Sequence, residues 1–174
     1  HQPVQARALS YEAIFSEGRA EFRRRDASAD GEGEFETHTE IVVSPEDDIE
    51  LRRVRITNRT STRRRIDVTS YAEVVIAPAA SDALHPAFSN LFVQTEILRD
   101  RPAILCTRRP RSAGEQSPWM LHLMAVHGVD AEQVSCETDR MRFIGRTRTC
   151  ADALAMDTAT LSGTDGAVLD PVVA

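Results

Sequence analysis

Lysine is absent from this chain: all 21 basic residues are arginine. A phosphate loop of the form G-x-x-x-x-G-K-[ST] is therefore excluded, and Gly163 and Gly166 are not nucleotide-binding glycines. The bland reading of such a composition is a GC-rich genome. The sharper one is an anion or nucleic-acid site, because the guanidinium fork suits phosphate. Arginines gather at Arg23–Arg25, Arg52–Arg55, Arg63–Arg65 and Arg108–Arg111. Glu21, Asp26, Glu50, Asp67 and Glu73 are interleaved with them, and the net charge is −6. A duplex-binding face needs a sustained basic excess, so nucleic acid is not an expected partner.

Cysteine is scarce as well. Three thiols, Cys106, Cys136 and Cys150, with no C-x-x-C, exclude a disulfide framework and a zinc site. Reduced thiols accord with a cytoplasmic location. Aromatics make up 5% of the chain, and the single tryptophan, Trp119, lies in its most apolar run. That leaves few candidates for sugar-stacking platforms and counts against an independent carbohydrate-binding module. No run of 18 apolar residues exists, so no segment is expected to insert into a membrane. The first residues lack the basic-then-apolar pattern of a secretory leader. A membrane-bound parent is compatible with both absences. Metal binding lacks convergent ligands: His122 and His127 have opposite parity on one apparent strand, and His1 and His38 belong to distant segments. No cofactor is expected.

What is present is alternation of period two. From Arg64 to Ile76 the even positions Ile66, Val68, Ala72, Val74 and Ile76 are apolar, and Arg65, Asp67, Thr69, Tyr71 and Glu73 alternate with them, which predicts one long half-buried strand. Glu34 to Val43 sets Phe35, Ile41 and Val43 against Glu34, Glu36, His38 and Glu40. Between Ile49 and Asn58 the apolar parity slips at Arg52-Arg53, which predicts a β-bulge. Leu9–Phe15 and Arg19–Arg25 read as a hairpin around Ser16-Glu17-Gly18. Leu91–Leu98 and Ala103–Arg109 are further strands. Trp119–Val126 is apolar on both parities apart from His122 and reads as a central strand covered on both faces. Val134–Thr138 and Met141–Ile144 read as short strands, and Val172–Ala174 as a strand interrupted by the end of the chain. Helical signals are confined to Ala79–Leu84, stopped by His85-Pro86, and Ala151–Met156. Loops are expected at Ala27–Gly33 and Ser112–Ser117.

About nine strands with few helical turns predict an all-β fold, an antiparallel β-sandwich. The length and the 41% hydrophobic content suit one domain over 1–174. The interrupted last strand suggests that it is excised from a larger protein.

Several segments carry a family resemblance: SYEAIFSEGRAEFRRRD (Ser10 to Asp26), THTEIVVSPEDDIELRRVRITNR (Thr37 to Arg59), the long stretch from Tyr71 to Arg109 with HPAFSN at its centre, and ETDRMRFIGR (Glu137 to Arg146). Together they resemble the N-terminal β-sandwich of the inverting phosphorylases of glycoside hydrolase family 94, also called glycosyltransferase family 36-like. The likeness is strongest to the phosphorylase-like region of bacterial cyclic β-1,2-glucan synthetases. It implies a supersandwich of the galactose mutarotase-like kind that packs on an (α/α)6 catalytic barrel in the same polypeptide and supports a homodimer. The family keeps its general-acid aspartate and its phosphate site in that barrel. No catalytic residue is therefore transferred to this chain, which is expected not to be an enzyme by itself.

The best functional candidate is the connection from Ala77 to Asn90, long for a strand link. Asp82, His85, Ser89 and Asn90 offer hydrogen-bonding groups there, and Phe88 an apolar plate. The resemblance implies that this loop faces a glucan cleft or a neighbouring subunit. The plainer reading makes Pro86 and Phe88 a plug and His85 a turn cap. Asp47, Asp48 and Asp82 are read as solvated turn residues rather than a catalytic pair. Arg140, Arg142, Arg146 and Arg148 are read as partners of Glu137 and Asp139, with an anion contact as the alternative.

Overall fold

Residues 7–27, 34–110 and 112–174 are described by the structure, a computed structural model. Of the loop expected at Ala27–Gly33, residues 28–33 lie outside them, as do His1 and Arg111. Two compact units divide the chain, His1–Asp67 and Val68–Ala174.

The first unit is a four-stranded antiparallel sheet in the order β1 (Ser10–Ser16), β2 (Arg19–Ala27), β3 (Glu34–Val43), β4 (Glu50–Asn58). The β1–β2 hairpin turns at Glu17-Gly18, where Gly18 takes φ +69°, a backbone that costs glycine little. Register sorts the side chains into two faces. One carries Glu12, Arg23, His38 and Arg55 in one row, and Ile14, Glu21, Glu40 and Arg53 in the next. The other carries Tyr11, Phe15, Phe22, Phe35, Ile41, Val54 and Ile56. Phe22 stacks on Tyr11 at 6.5 Å and meets Phe15 edge-on at 5.9 Å.

The expected bulge in β4 is not there. Glu50 to Asn58 pair one-to-one with Val43 to Phe35. The parity slip is absorbed instead by placing Leu51 at a corner of the charged face, in the row of Val42, where it stays exposed. An apolar residue at an exposed sheet corner costs little, so no extra backbone residue is needed.

The second unit has two sheets. One is β5 (Ala72–Glu73) with β9 (Val172–Val173); the other is β6 (Val93–Leu98), β7 (Ala103–Arg108) and β8 (Trp119–Leu123) in that order. β9 is the centre of this unit. Val173 joins Val74, Val93, Ile104 and Cys106 in one apolar cluster, so the two sheets face each other as layers. Val172 joins Phe143, Ile144, Ala153 and Ala155 in another, with Tyr71 stacked on Phe143 at 4.9 Å. On its second edge β9 is flanked by 137–139: the amide of Glu137 donates to Ala174 O (3.0 Å), that of Ala174 to Glu137 O (3.2 Å), and that of Val172 to Thr138 O (2.9 Å). The end of the strand expected at Val134–Thr138 is thus extended beside β9, although it forms no strand of its own.

Three expectations are corrected here. The long strand from Arg64 to Ile76 shrinks to Ala72–Glu73. Alternation supplies faces but no ladder partner: Ile66 and Val68 remain exposed, whereas Val74 is buried. Met141–Ile144 is helical, within α3 (Arg140–Ile144). The Asp139 carboxylate accepts from the amides of Met141 (2.8 Å) and Arg142 (3.3 Å), an N-cap that favours a helical turn. Gly145 ends it at φ +89°. Finally, β8 is an edge strand, not a central one. Met120 and His122 turn inward, while Trp119, Leu121 and Leu123 are exposed.

The fold is all-β and antiparallel with few short helices, as the alternation implies. Of the helices, α1 (Ala79–Leu84) lies where the sequence puts it, α2 (Pro86–Asn90) was not foreseen, and 151–156 falls in two 3-10 turns, Cys150–Asp152 and Leu154–Asp157.

Candidate functional site

The segment 77–90 is two short helices joined at His85, whose amide donates to Ser81 O and whose carbonyl accepts from the Ser89 amide, both at 3.1 Å. His85 is thus a hinge between helices, and its side chain is exposed. Asp82 is half-buried in the first turn of α1. Phe88 is exposed and meets Phe92 edge-on at 5.2 Å, with the Arg109 guanidinium 5.9 Å from the Phe92 ring centre. The Asn90 amide donates to Asp170 Oδ1 at 2.9 Å, tying α2 to the segment just ahead of β9. Ser89 is buried. These residues share a segment, but none of them lines the groove found in this unit.

That groove crosses the outer face of the three-stranded sheet. Its volume is about 400 Å³, and it is lined by Gln94, Thr95 and Glu96 of β6, Leu105 and Thr107 of β7, Trp119 of β8, and Asp165-Gly166. Register places Gln94, Thr107 and Trp119 in one row, and Glu96, Leu105 and Leu121 in the next. Trp119 is 64% exposed. The threonine beside it fixes its approach: Thr107 Oγ1 donates to Pro118 O at 3.2 Å. The far wall is pinned to β6, since Thr95 and Gly166 exchange backbone bonds of 2.9 and 2.7 Å, and Asp165 Oδ2 accepts from the Ile97 amide at 3.4 Å. The positive φ of Gly166, +93°, lets the chain turn there.

The sequence reading missed this groove because WMLHL is apolar on both parities. A usable signal lay in β6, where Gln94 and Glu96 share a parity opposite to Val93, Thr95 and Ile97. Pairing those polar positions through β7 to Trp119 would have brought an aromatic plate and polar groups together.

Elsewhere the buried polar groups are committed to holding the fold. Glu137 was expected to pair with arginines, yet it is buried among neutral donors: the amides of Thr138 (3.0 Å) and Asp139 (2.9 Å), Thr164 Oγ1 (3.3 Å) and Ser162 Oγ. Its carboxylate holds the 162–164 turn against the strip beside β9. The arginines go elsewhere: Arg140 to Glu73 (3.0 Å) and Asp170 (3.7 Å), and Arg148 to Asp157 (2.6 Å). The Glu73 hydrogen bond raises the Arg140 pKa further. His122 is a satisfied inner-face histidine, its Nε2 2.8 Å from Ser70 Oγ. All three cysteines are free. Burial pushes the Cys106 thiol up to about 11 and raises that of Cys136, which makes both poor nucleophiles. Among the described residues no three of His, Cys, Asp and Glu gather as a metal site, and no helix is long and apolar enough to cross a membrane.

The antiparallel sheets and few short helices define an all-β domain. The comparison with known families narrows the class. Residues 1–174 match the supersandwich domain of glycosyl hydrolase 94, and the chain belongs to that family. It is also 44% identical over 142 residues to the cyclic beta-(1,2)-glucan synthase NdvB of Rhizobium meliloti (strain 1021). The alignment covers 81% of this chain and 5% of that protein.

Proposed function

We propose that this chain is the non-catalytic β-domain of a glucan-handling parent of the cyclic β-1,2-glucan synthase type. In this reading it packs on an (α/α)6 catalytic barrel of the same polypeptide and contributes a surface to the glucan cleft or to a dimer. The observation that carries the proposal is the 44% identity to a cyclic beta-(1,2)-glucan synthase over most of this chain but only 5% of the relative. The roles of the buried carboxylates support it. Glu21 is held by Arg19 (2.7 Å), Arg23 (3.4 Å) and His38 (3.1 Å), and Glu137 by four neutral donors, so both are spent on architecture. Inverting glycosidic chemistry needs a carboxylic acid free to reach the leaving oxygen and a nucleophile on the opposite face of the sugar.

The test is an exchange. The matching segment of the Rhizobium meliloti synthase is replaced by this chain, and cyclic β-1,2-glucan synthesis is measured. The chimera is expected to retain synthesis, whereas deletion of the segment abolishes it. The 174-residue chain by itself, given β-1,2-glucan and inorganic phosphate, is expected to release no glucose 1-phosphate. A folded but inactive chimera, or phosphorolysis by the chain alone, contradicts the proposal.

A further inference from the structure

The outer face of β6-β7-β8 combines features that the fold does not require. We infer that it is a binding site for a neutral β-1,2-linked glucan, with Trp119 as the plate on which a sugar ring stacks and Gln94, Glu96, Thr107 and Asp165 as the polar rim. The choice of glucan rests on the parent assigned above; the site itself rests on the groove.

Gln94, Thr107 and Trp119 stand in one row across three strands, so the polar rim on β6 lies two strand spacings, roughly 10 Å, from the indole. A groove of about 400 Å³ falls within the range of small-ligand sites. Its floor is a sheet, and its far wall is hydrogen-bonded into β6 through the Thr95–Gly166 pair. Little ordering is then left to be done on binding.

Chemistry narrows the occupant. A large aromatic in water is costly unless something covers it, and Trp119 is 64% exposed. The cover must also satisfy two carboxylates, because Glu96 and Asp165 line the same groove and none of its lining residues is basic. A phosphate or a sugar acid would be repelled there. An apolar protein surface would desolvate both carboxylates and leave Asp165 with only its Ile97 amide contact, which is expensive. A neutral polyol meets both demands. Its C–H faces lie on the indole, and its hydroxyls donate to the carboxylates and exchange bonds with the Gln94 amide.

Trp119 is the only tryptophan, so emission excited at the red edge, where Tyr11 and Tyr71 do not absorb, reports this groove alone. Titration with a neutral β-1,2-linked glucose oligomer is expected to change the emission saturably, with millimolar affinity, while glucose 1-phosphate changes nothing. By calorimetry, Trp119→Ala weakens binding about tenfold or more, the equivalent of about 1.4 kcal/mol, and Trp119→Phe retains most of it. The Glu96→Ala/Asp165→Ala pair weakens it several-fold with the fold intact by circular dichroism. Calorimetric binding with silent Trp119 emission overturns this site and leaves the parent assignment standing, since the chimera tests that separately. An absence of binding by either method also overturns it, and directs attention to a protein partner for the Trp119–Leu121–Leu123 face.

Discussion

The two units of this chain are held together by different forces. Among the described residues of His1–Asp67, the only buried side chain is a carboxylate, Glu21. That unit relies on long, continuous strand ladders and on ion pairs along and between neighbouring segments: Arg19 to Glu21 and Glu40, Arg23 to Glu12 and Glu21, Arg53 to Glu40, and Arg59 to Glu36. The arginine of every pair stays largely in water, so each pair contributes little. In Val68–Ala174 the strands are short and many segments irregular, yet two apolar clusters meet on the adjacent residues Val172 and Val173 of β9. Regular secondary structure and a hydrophobic core are therefore separable. The sheet with the longer strands has the thinner core, and the unit with the shorter strands has the denser one.

This contrast predicts where damage is greatest. Ile104 is 2% exposed and packs under β9, so Ile104→Ala is expected to cost about 2–5 kcal/mol of unfolding free energy. Its mirror image in the first unit, Val54→Ala, removes a side chain that is 48% exposed and is expected to cost well under half as much. Chemical denaturation of both variants measures the difference, and equal costs would erase the contrast.

A smaller effect separates the units by pH. The Cys106 thiol is raised by burial from 9.0 to about 11. A group raised in the folded state lends stability that is whole below its unfolded value and is lost as pH rises through the folded one. The second unit should therefore weaken between about pH 9 and 11, by on the order of 2–3 kcal/mol. Burial of Tyr71 raises its phenol as well and extends the loss to higher pH. Thermal melts across this range should show the decline, and Cys106→Ala should flatten it.

The smallest effect lies on the acid side. The Arg59 hydrogen bond lowers the Glu36 pKa, and the Arg53 hydrogen bond lowers that of Glu40. Depressed carboxylates give stability that is present above their ordinary value of 4.5 and is lost as pH falls below it. Asp152, held by Thr149, adds a similar contribution in the second unit. Glu40→Gln should blunt the acid loss, and added salt should reduce the contribution of these pairs, which screening weakens.

What the sequence made legible follows the same division. The faces of β3 were readable because Phe35, Ile41 and Val43 oppose four polar residues, and the hairpin at Glu17-Gly18 because a turn residue interrupts two alternating runs. The slip at Arg52-Arg53 was misread as a bulge, since parity cannot distinguish an extra residue from an exposed Leu51. Pairing partners beyond that hairpin were not legible: Ile66 and Val68 alternate correctly but have no ladder. The helix at Arg140–Ile144 depends on one carboxylate, Asp139, whose capping outweighs the strand-like Phe143-Ile144. Asp82, His85, Phe88 and Asn90 stand out in the sequence because they sit in a long connection with polar groups. The groove at Trp119 went unseen because its residues come from three strands and a distant turn, and only register brings them together.

The most direct measurement is a set of amide chemical-shift changes in the chain on addition of a neutral β-1,2-linked glucose oligomer. The expected result is a cluster of shifts at Gln94–Glu96, Leu105–Thr107, Trp119 and Asp165-Gly166, with the sheet of the first unit unmoved. Shifts centred instead on His85–Asn90, or spread along β1 to β4, would contradict the assignment of glucan contact to the Trp119 face.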